Sequence, residues 1–259
     1  VKLGGLAVLT ATLLASQPAA AQTAVEWQLF HLRAGFCIQF LVSPDDLPRT
    51  PFARLNPVPA SSAALGPVLA RTVSQADSLA DWYPTELCLF QADSSRTGND
   101  TQHHRDRPVS IVLWRAGGRD DGELVPAVLF ATEGKLLGAG DLAGSAEVGR
   151  MEASLDVDSE TGQRLSIARI DRTQVALDGT LLADTLSNTP QTEHLTLAGK
   201  GPLWTVDVLL APGVRRRLAG SLQVSGDGLL AELIRSSPVS WVGEYWTGGE
   251  VQFQFRRSL

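Results

Sequence analysis

The sequence predicts a mostly β protein, an antiparallel β-sandwich or curled barrel-like sheet, with one or two short helices in its N-terminal third. Three observations predict it. From about residue 86 onward, apolar residues recur with a period of two, the spacing of strands with one buried and one wet face. Turn sequences rich in Gly, Asp and Ser separate those runs. No long helical run follows them, and parallel pairing would need crossover segments of that kind.

Taken in order, residues 1–24 read VKLGGLAVLTATLLASQPAAAQTA. One cation, Lys2, precedes an uncharged apolar run from Leu3 to Ala15, then Ala19-Ala20-Ala21. This pattern predicts a secretory signal peptide over residues 1–21, cleaved between Ala21 and Gln22. The run is too short for the ~20 residues of a spanning helix, and no Cys follows the cleavage site for lipid attachment. Val1, where Met is the rule, points to a bacterial alternative start codon or a trimmed chain. The expected location is the periplasm or the medium. The mature chain would be residues 22–259, a single all-β domain with a candidate subdivision near 116–123.

Export gives the two cysteines a meaning. Cys37 lies in AGFCIQFLV and Cys88 in TELCLFQA, both strand-like. A bridge between them would close a loop of about fifty residues and contribute up to roughly 4 kcal/mol; two buried free thiols are the alternative. Residues 25–43 are extended and apolar, and residues 44–84 are rich in proline. Within the latter, Leu65, Val68, Leu69, Thr72 and Val73 recur at helical spacing, with Pro67 where a missing N–H costs nothing. One helix over 67–73 and a further turn over 78–82 are the whole helical expectation.

The strands follow. Met151, Ala153, Leu155 and Val157 alternate with acids and Ser154, and Asp158–Gly162 turns the chain toward Leu165 and Ile167. Asp178-Gly179 reads as a two-residue hairpin, and Ser225–Gly228 as a turn between LQV and a further strand, LLAELI. Trp204, Val206, Val208 and Leu210 share one parity, as do Val251, Phe253 and Phe255. Ser94–Arg107 and Gly117–Glu123 read as exposed loops. An outer-membrane barrel is disfavoured, because aromatics are only 6% of the chain, too few for interfacial girdles.

A formal charge of −6, with 44% hydrophobic and 19% charged residues, excludes a polybasic nucleic-acid binder and wholesale disorder. Catalytic signatures are absent: GxSxG, HExxH, GxxxxGK[ST] and SxxK do not occur after the leader. No catalytic residue, cofactor or metal is assigned. His103-His104 with Asp100 and Asp106 is the densest metal-capable set, but adjacent residues of an extended chain point apart. Asp156, Asp158 and Glu160 lack the Gly and terminal acid of a calcium loop. Gly138–Gly144 precedes a strand rather than a phosphate-cradling helix. Arg215-Arg216-Arg217 is a local basic run on an acidic chain, read as a solvated strand start. Trp241, Tyr245 and Trp246 form the richest aromatic cluster and are the candidate ligand-binding residues, flat apolar faces with polar tips. Alternation would put Trp241 and Tyr245 on one face and Trp246 on the other.

Residues 40–59, FLVSPDDLPRTPFARLNPVP, resemble the opening segment of acetoacetate-decarboxylase-like domains, where an extended strand leads into a proline-containing stretch. That family's Gly-aromatic-Pro-Lys-Lys motif has no counterpart; Glu133-Gly134-Lys135 is the nearest approach, and no site is carried over. The expectation is a non-catalytic exported protein that binds a small apolar or amphipathic ligand or an envelope partner. The alternatives are a hydrolase- or decarboxylase-like enzyme with Lys135 or a carboxylate pair scattered over the sheet, and a structural subunit of an envelope complex. Neither nucleic acid nor a transmembrane span enters any of these readings.

Overall fold

The computed structural model describes residues 24–97, 108–118, 125–131, 151–157, 163–170, 172–185, 191–197, 204–211 and 213–257. The leader, His103-His104, Lys135 and Gly138–Gly144 therefore lie outside the described residues. The strands are β1 (Ala24–Val42), β2 (Tyr83–Thr97), β3 (Val109–Ala116), β4 (Val125–Ala131), β5 (Met151–Val157) and β6 (Gln163–Ile170). They continue with β7 (Thr173–Thr185), β8 (Gln191–Leu197), β9 (Trp204–Leu210), β10 (Val214–Gly226), β11 (Ser240–Thr247) and β12 (Glu250–Arg257). Two helices, α1 (Pro67–Ser74) and α2 (Leu229–Ser236), accompany them among the described residues.

The strand order is β12-β9-β8-β4-β3-β2-β1-β11-β10-β7-β6-β5, and β12 also returns to β1. Seven strands (β1, β2, β3, β4, β8, β9 and β12) thus close into a barrel, and the other five continue from it as a second sheet. The long strand β1 belongs to both. Its residues 24–30 pair with β12 and residues 35–40 with β11, while β2 runs along its other edge throughout. A strand edge can serve one neighbour at a time, so the handover needs a break. His31 at φ 56 and a register shift between Leu32 and Ala34 supply it.

The pairings are antiparallel, as the hairpin sequences imply, with one exception: β4 and β8 run parallel. The expectation of a wholly antiparallel sheet missed this pair because its two strands are far apart in the chain, with three other strands between them. Strands β5, β6 and β7 form the excursion, and the chain returns beside β4 in the direction it left.

Two apolar clusters share the β1–β2–β3 wall. Inside the barrel lie Trp27, Leu29, Cys88, Phe90, Ile111, Leu113, Val206 and Phe253 among others; on the opposite face lie Phe36, Ile38, Phe40, Leu87, Leu89, Val112 and Trp114. Burial on both faces explains why TELCLFQA and SIVLW read as nearly continuous apolar runs. Away from this second cluster, outward positions of the barrel carry polar residues. Glu26, Gln28, His194, Asp207, Gln254 and Arg256 alternate with the inward residues, and His194 Nδ1 lies 2.7 Å from Asp207 Oδ1. On those strands, apolar inside and polar outside is the reverse of a membrane barrel.

Three local expectations are corrected. LLAELI is helix α2, not a strand. Leu230, Ala231, Leu233 and Ile234 are buried on one face, and the Thr173 Oγ1 accepts a hydrogen bond from the Ala231 N–H at 3.1 Å, satisfying a first-turn donor from outside the helix. Asp178-Gly179 is no hairpin: β7 runs straight through it, paired with β6 and β10 on its two edges. Gly179 faces Gly220, and a Cβ at Gly220 would come within 2.6 Å of the Gly179 Cα, so the glycines serve close approach and not a turn. Ser94–Thr97 belong to β2 rather than to a loop, with Ser95 fully buried.

Candidate functional site at one end of the barrel

The pairing directions bring the C-terminal ends of β1 and β3 and the N-terminal ends of β2 and β8 to the same end of the barrel. At that end the inward parity passes from apolar to polar. Gln39 comes two residues after Cys37, Glu86 two before Cys88, Arg115 two after Leu113 and Glu193 two before Leu195. Beneath them Cys37 and Cys88 are directly opposed across β1 and β2, with Cα atoms 4.0 Å apart, and are joined as a disulfide.

The four polar side chains form one network. The Arg115 Nε donates to Glu86 Oε2 at 2.7 Å, and its Nη2 reaches the same oxygen. Its Nη1 pairs with Glu193 Oε2 at 3.0 Å. On the far side of Glu86, the Gln39 Nε2 donates to Oε1 at 2.8 Å. Side-chain exposures of 24% for Arg115, 13% for Glu86 and 25% for Glu193 place the ions in a half-desolvated setting. Burial by itself lowers the Arg115 pKa; the charges of Glu86 and Glu193 outweigh it and hold the guanidinium above its ordinary value. Two carboxylates and one guanidinium leave the trio with a net charge of −1.

Gln39 has a further property. Its Oε1 is buried and has no hydrogen-bond partner among the described residues. It lies against Gly66, which precedes α1, where a Cβ would sit 3.1 Å from that oxygen. The absence of a side chain there lets the amide stand where it does. Glu86 also lies near both sulfurs in a grouping of metal-ligand spacing, but a metal would need thiolates, and these sulfurs are bonded to each other.

Of the aromatic candidates, Trp241, Tyr245 and Trp246 all fall on β11, opposite Gln39, Phe36 and Gly35. Trp241 is half-buried. The register shifts between its partners Phe36 and Ile38, so the strict alternation expected from 241 to 246 is interrupted by a bulge. The side chains of Tyr245 and Trp246 lie outside the described residues, as do those of Asp156, Arg215 and Arg216. Arg217 is exposed on β10.

Sequence reasoning passed over Gln39, Glu86, Arg115 and Glu193. They span four strands, and no short motif joins them. A signal existed all the same: each is a polar residue at inward parity, two positions beyond a buried one, in GFCIQF, TELCLF, IVLWR and EHLTL.

No protein-family profile matches the sequence, and no curated protein matches it. Solved structures do show a likeness. An acetoacetate decarboxylase from Legionella pneumophila is 12% identical, covering 89% of this chain and 84% of its own, at a TM-score of 0.48. An acetoacetate decarboxylase-like enzyme from Sphingomonas wittichii is 11% identical over 90% of this chain and 91% of its own, at 0.45. The enduracididine biosynthesis enzyme MppR is 12% identical over 97% and 96%, at 0.44. None of these likenesses carries a function or a site to this chain.

Proposed function

We propose that the protein is an exported enzyme of hydrolase- or decarboxylase-like chemistry that acts on a small molecule at the polar end of the barrel. The observation that carries the reading is the convergence of Glu86, Arg115 and Glu193, from three strands, on one half-buried point beside the disulfide. Such a network is a poor stabilising device, because desolvation offsets much of its Coulombic gain. It is a good chemical one. A guanidinium that never loses its proton can stabilise a developing negative charge, and carboxylates beside it can take and return a proton. The disulfide fits an oxidising compartment, here the periplasm or the medium.

The test is turnover. The disulfide-intact protein is assayed against short acyl esters for hydrolysis and 3-oxo acids for release of carbon dioxide. Glu86→Gln and Arg115→Gln are expected to lose about 100-fold or more in kcat, with circular dichroism unchanged. Absence of wild-type turnover on both panels, or full activity in both variants, overturns the reading.

A second reading is a non-catalytic carrier of an apolar or amphipathic ligand, or a protein that docks an envelope partner. Its specific observation is the half-buried Trp241 beside Gln39, with Tyr245 and Trp246 on the same strand. A co-purified organic molecule lost in Trp241→Ala, without turnover on any substrate, would favour it.

A further inference from the structure

The opposite end of the barrel carries a different set of groups. There the N-terminal part of β1, the C-terminal part of β2 and the start of β9 come together. Trp27, Ser95 and Trp204 occupy inward positions on those strands and are 0%, 0% and 3% exposed. The Trp27 Nε1, the Ser95 Oγ and the Trp204 Nε1 have no hydrogen-bond partner among the described residues. Polar groups in protein interiors are hydrogen-bonded as a rule, because an unmade bond forfeits the hydration that was given up. Three such exceptions on the inward face of three strands, within one apolar cluster, form a pattern.

The three groups have a common chemistry. Indole N–H can only donate, and a hydroxyl can donate as well, so their shared complement is an oxygen acceptor. The surrounding inward residues, such as Leu29, Leu197, Val206, Phe253 and Phe255, are apolar. The described side chains around them are uncharged, so an anion would be held among them at a large desolvation cost; the side chain of Arg257, directly opposite Trp204 on β12, lies outside the described residues. The β2 wall, across the barrel from β9, carries the small side chains Ala92 and Ser95, whereas Trp27 lies 5.6 Å from Phe253, ring centre to ring centre.

We propose that this end of the barrel is an internal binding site for a small neutral molecule: an ester or amide of a short acyl chain. Its carbonyl oxygen is held by the indole N–H groups of Trp27 and Trp204 and the Ser95 hydroxyl. The site is distinct from the Glu86–Arg115–Glu193 network and stands whether or not that network is catalytic.

The full mature protein, freed of bound molecules and verified by native mass spectrometry, is titrated with methyl octanoate and with undecane, an alkane of equal heavy-atom count. The wild type is expected to prefer the ester. Trp27→Phe and Trp204→Phe keep an aromatic ring and remove the donor; each should cut the ester-to-alkane preference about fivefold, the worth of one neutral hydrogen bond. The ratio cancels the volume lost with the indole. Ser95→Ala should raise the melting temperature of the ligand-free protein, because it removes a buried hydroxyl without a partner. The proposal is overturned by a wild type that shows no ester preference, or by an unchanged preference in both Trp variants. A lower ligand-free melting temperature for Ser95→Ala overturns it too, since the hydroxyl would then be satisfied by a fixed water.

Discussion

Arg115 stands between Glu86 and Glu193 at the end of an apolar stack, and each charge there depends on the others. Removing the cation leaves two carboxylates half-buried and repelling. Arg115→Met is expected to destabilise the fold by about 2 kcal/mol at neutral pH, a figure kept below that for fully buried pairs because the group is about a quarter exposed. Parallel urea titrations of the wild type and the variant at neutral pH measure it. At the same scale, legibility in the sequence was uneven. Val251, Phe253 and Phe255 announced their burial by parity, and all three are fully buried. Glu86 did not announce its role, because a polar residue at inward parity looks like the end of a strand until three other strands bring their own exceptions to it.

Among the elements, α2 shows how a local pattern can be misread. LLAELI has the composition of a buried strand and the spacing of an amphipathic helix, and the choice is made by what it packs on. Leu230, Leu233 and Ile234 cover the second apolar cluster. Leu233 is 1% exposed, so Leu233→Ala should cost about 3 kcal/mol, measured by chemical denaturation. Glu232, on the outer side of α2, is held by Arg49 through bonds of 2.8 and 2.5 Å. That bond keeps its carboxyl below the usual range. A depressed folded-state pKa stabilises above the unfolded value and loses that contribution as pH falls through the folded one. The melting temperature of Glu232→Gln should therefore lie below that of the wild type at pH 7 and converge with it in acid. Gly220 makes a sharper demand. Gly220→Ala drives a methyl group into the Asp178 carbonyl oxygen and the Gly179 Cα, so β7 and β10 must part, and hydrogen exchange should quicken along both strands while the barrel strands stay protected.

For the molecule as a whole, the disulfide ties the two strands that form the wall between its apolar clusters. Its sequence separation is 51, and the loop-entropy relation gives about 4 kcal/mol for such a closure. The double variant Cys37→Ser, Cys88→Ser should lose roughly that much in equilibrium denaturation, with little change in the folded far-ultraviolet spectrum. The all-β class was legible from the period of two and the turn residues, but closure was not. Periodicity records which face of a strand is buried and says nothing of which strand lies next to it. The β1–β12 and β4–β8 pairings join segments far apart in the chain, and nothing local to either partner encodes the other.

The return of β12 to β1 has a temporal consequence. A chain that emerges N-terminus first exposes one edge of β1 through the whole synthesis or passage of more than two hundred residues, and only the arrival of β12 covers it. Until then the barrel has an open seam with Trp27 and Leu29 behind it. Contacts between such distant partners are slow to form, and an uncovered strand edge invites pairing with another copy. Strand β12 thus decides when β1 becomes safe.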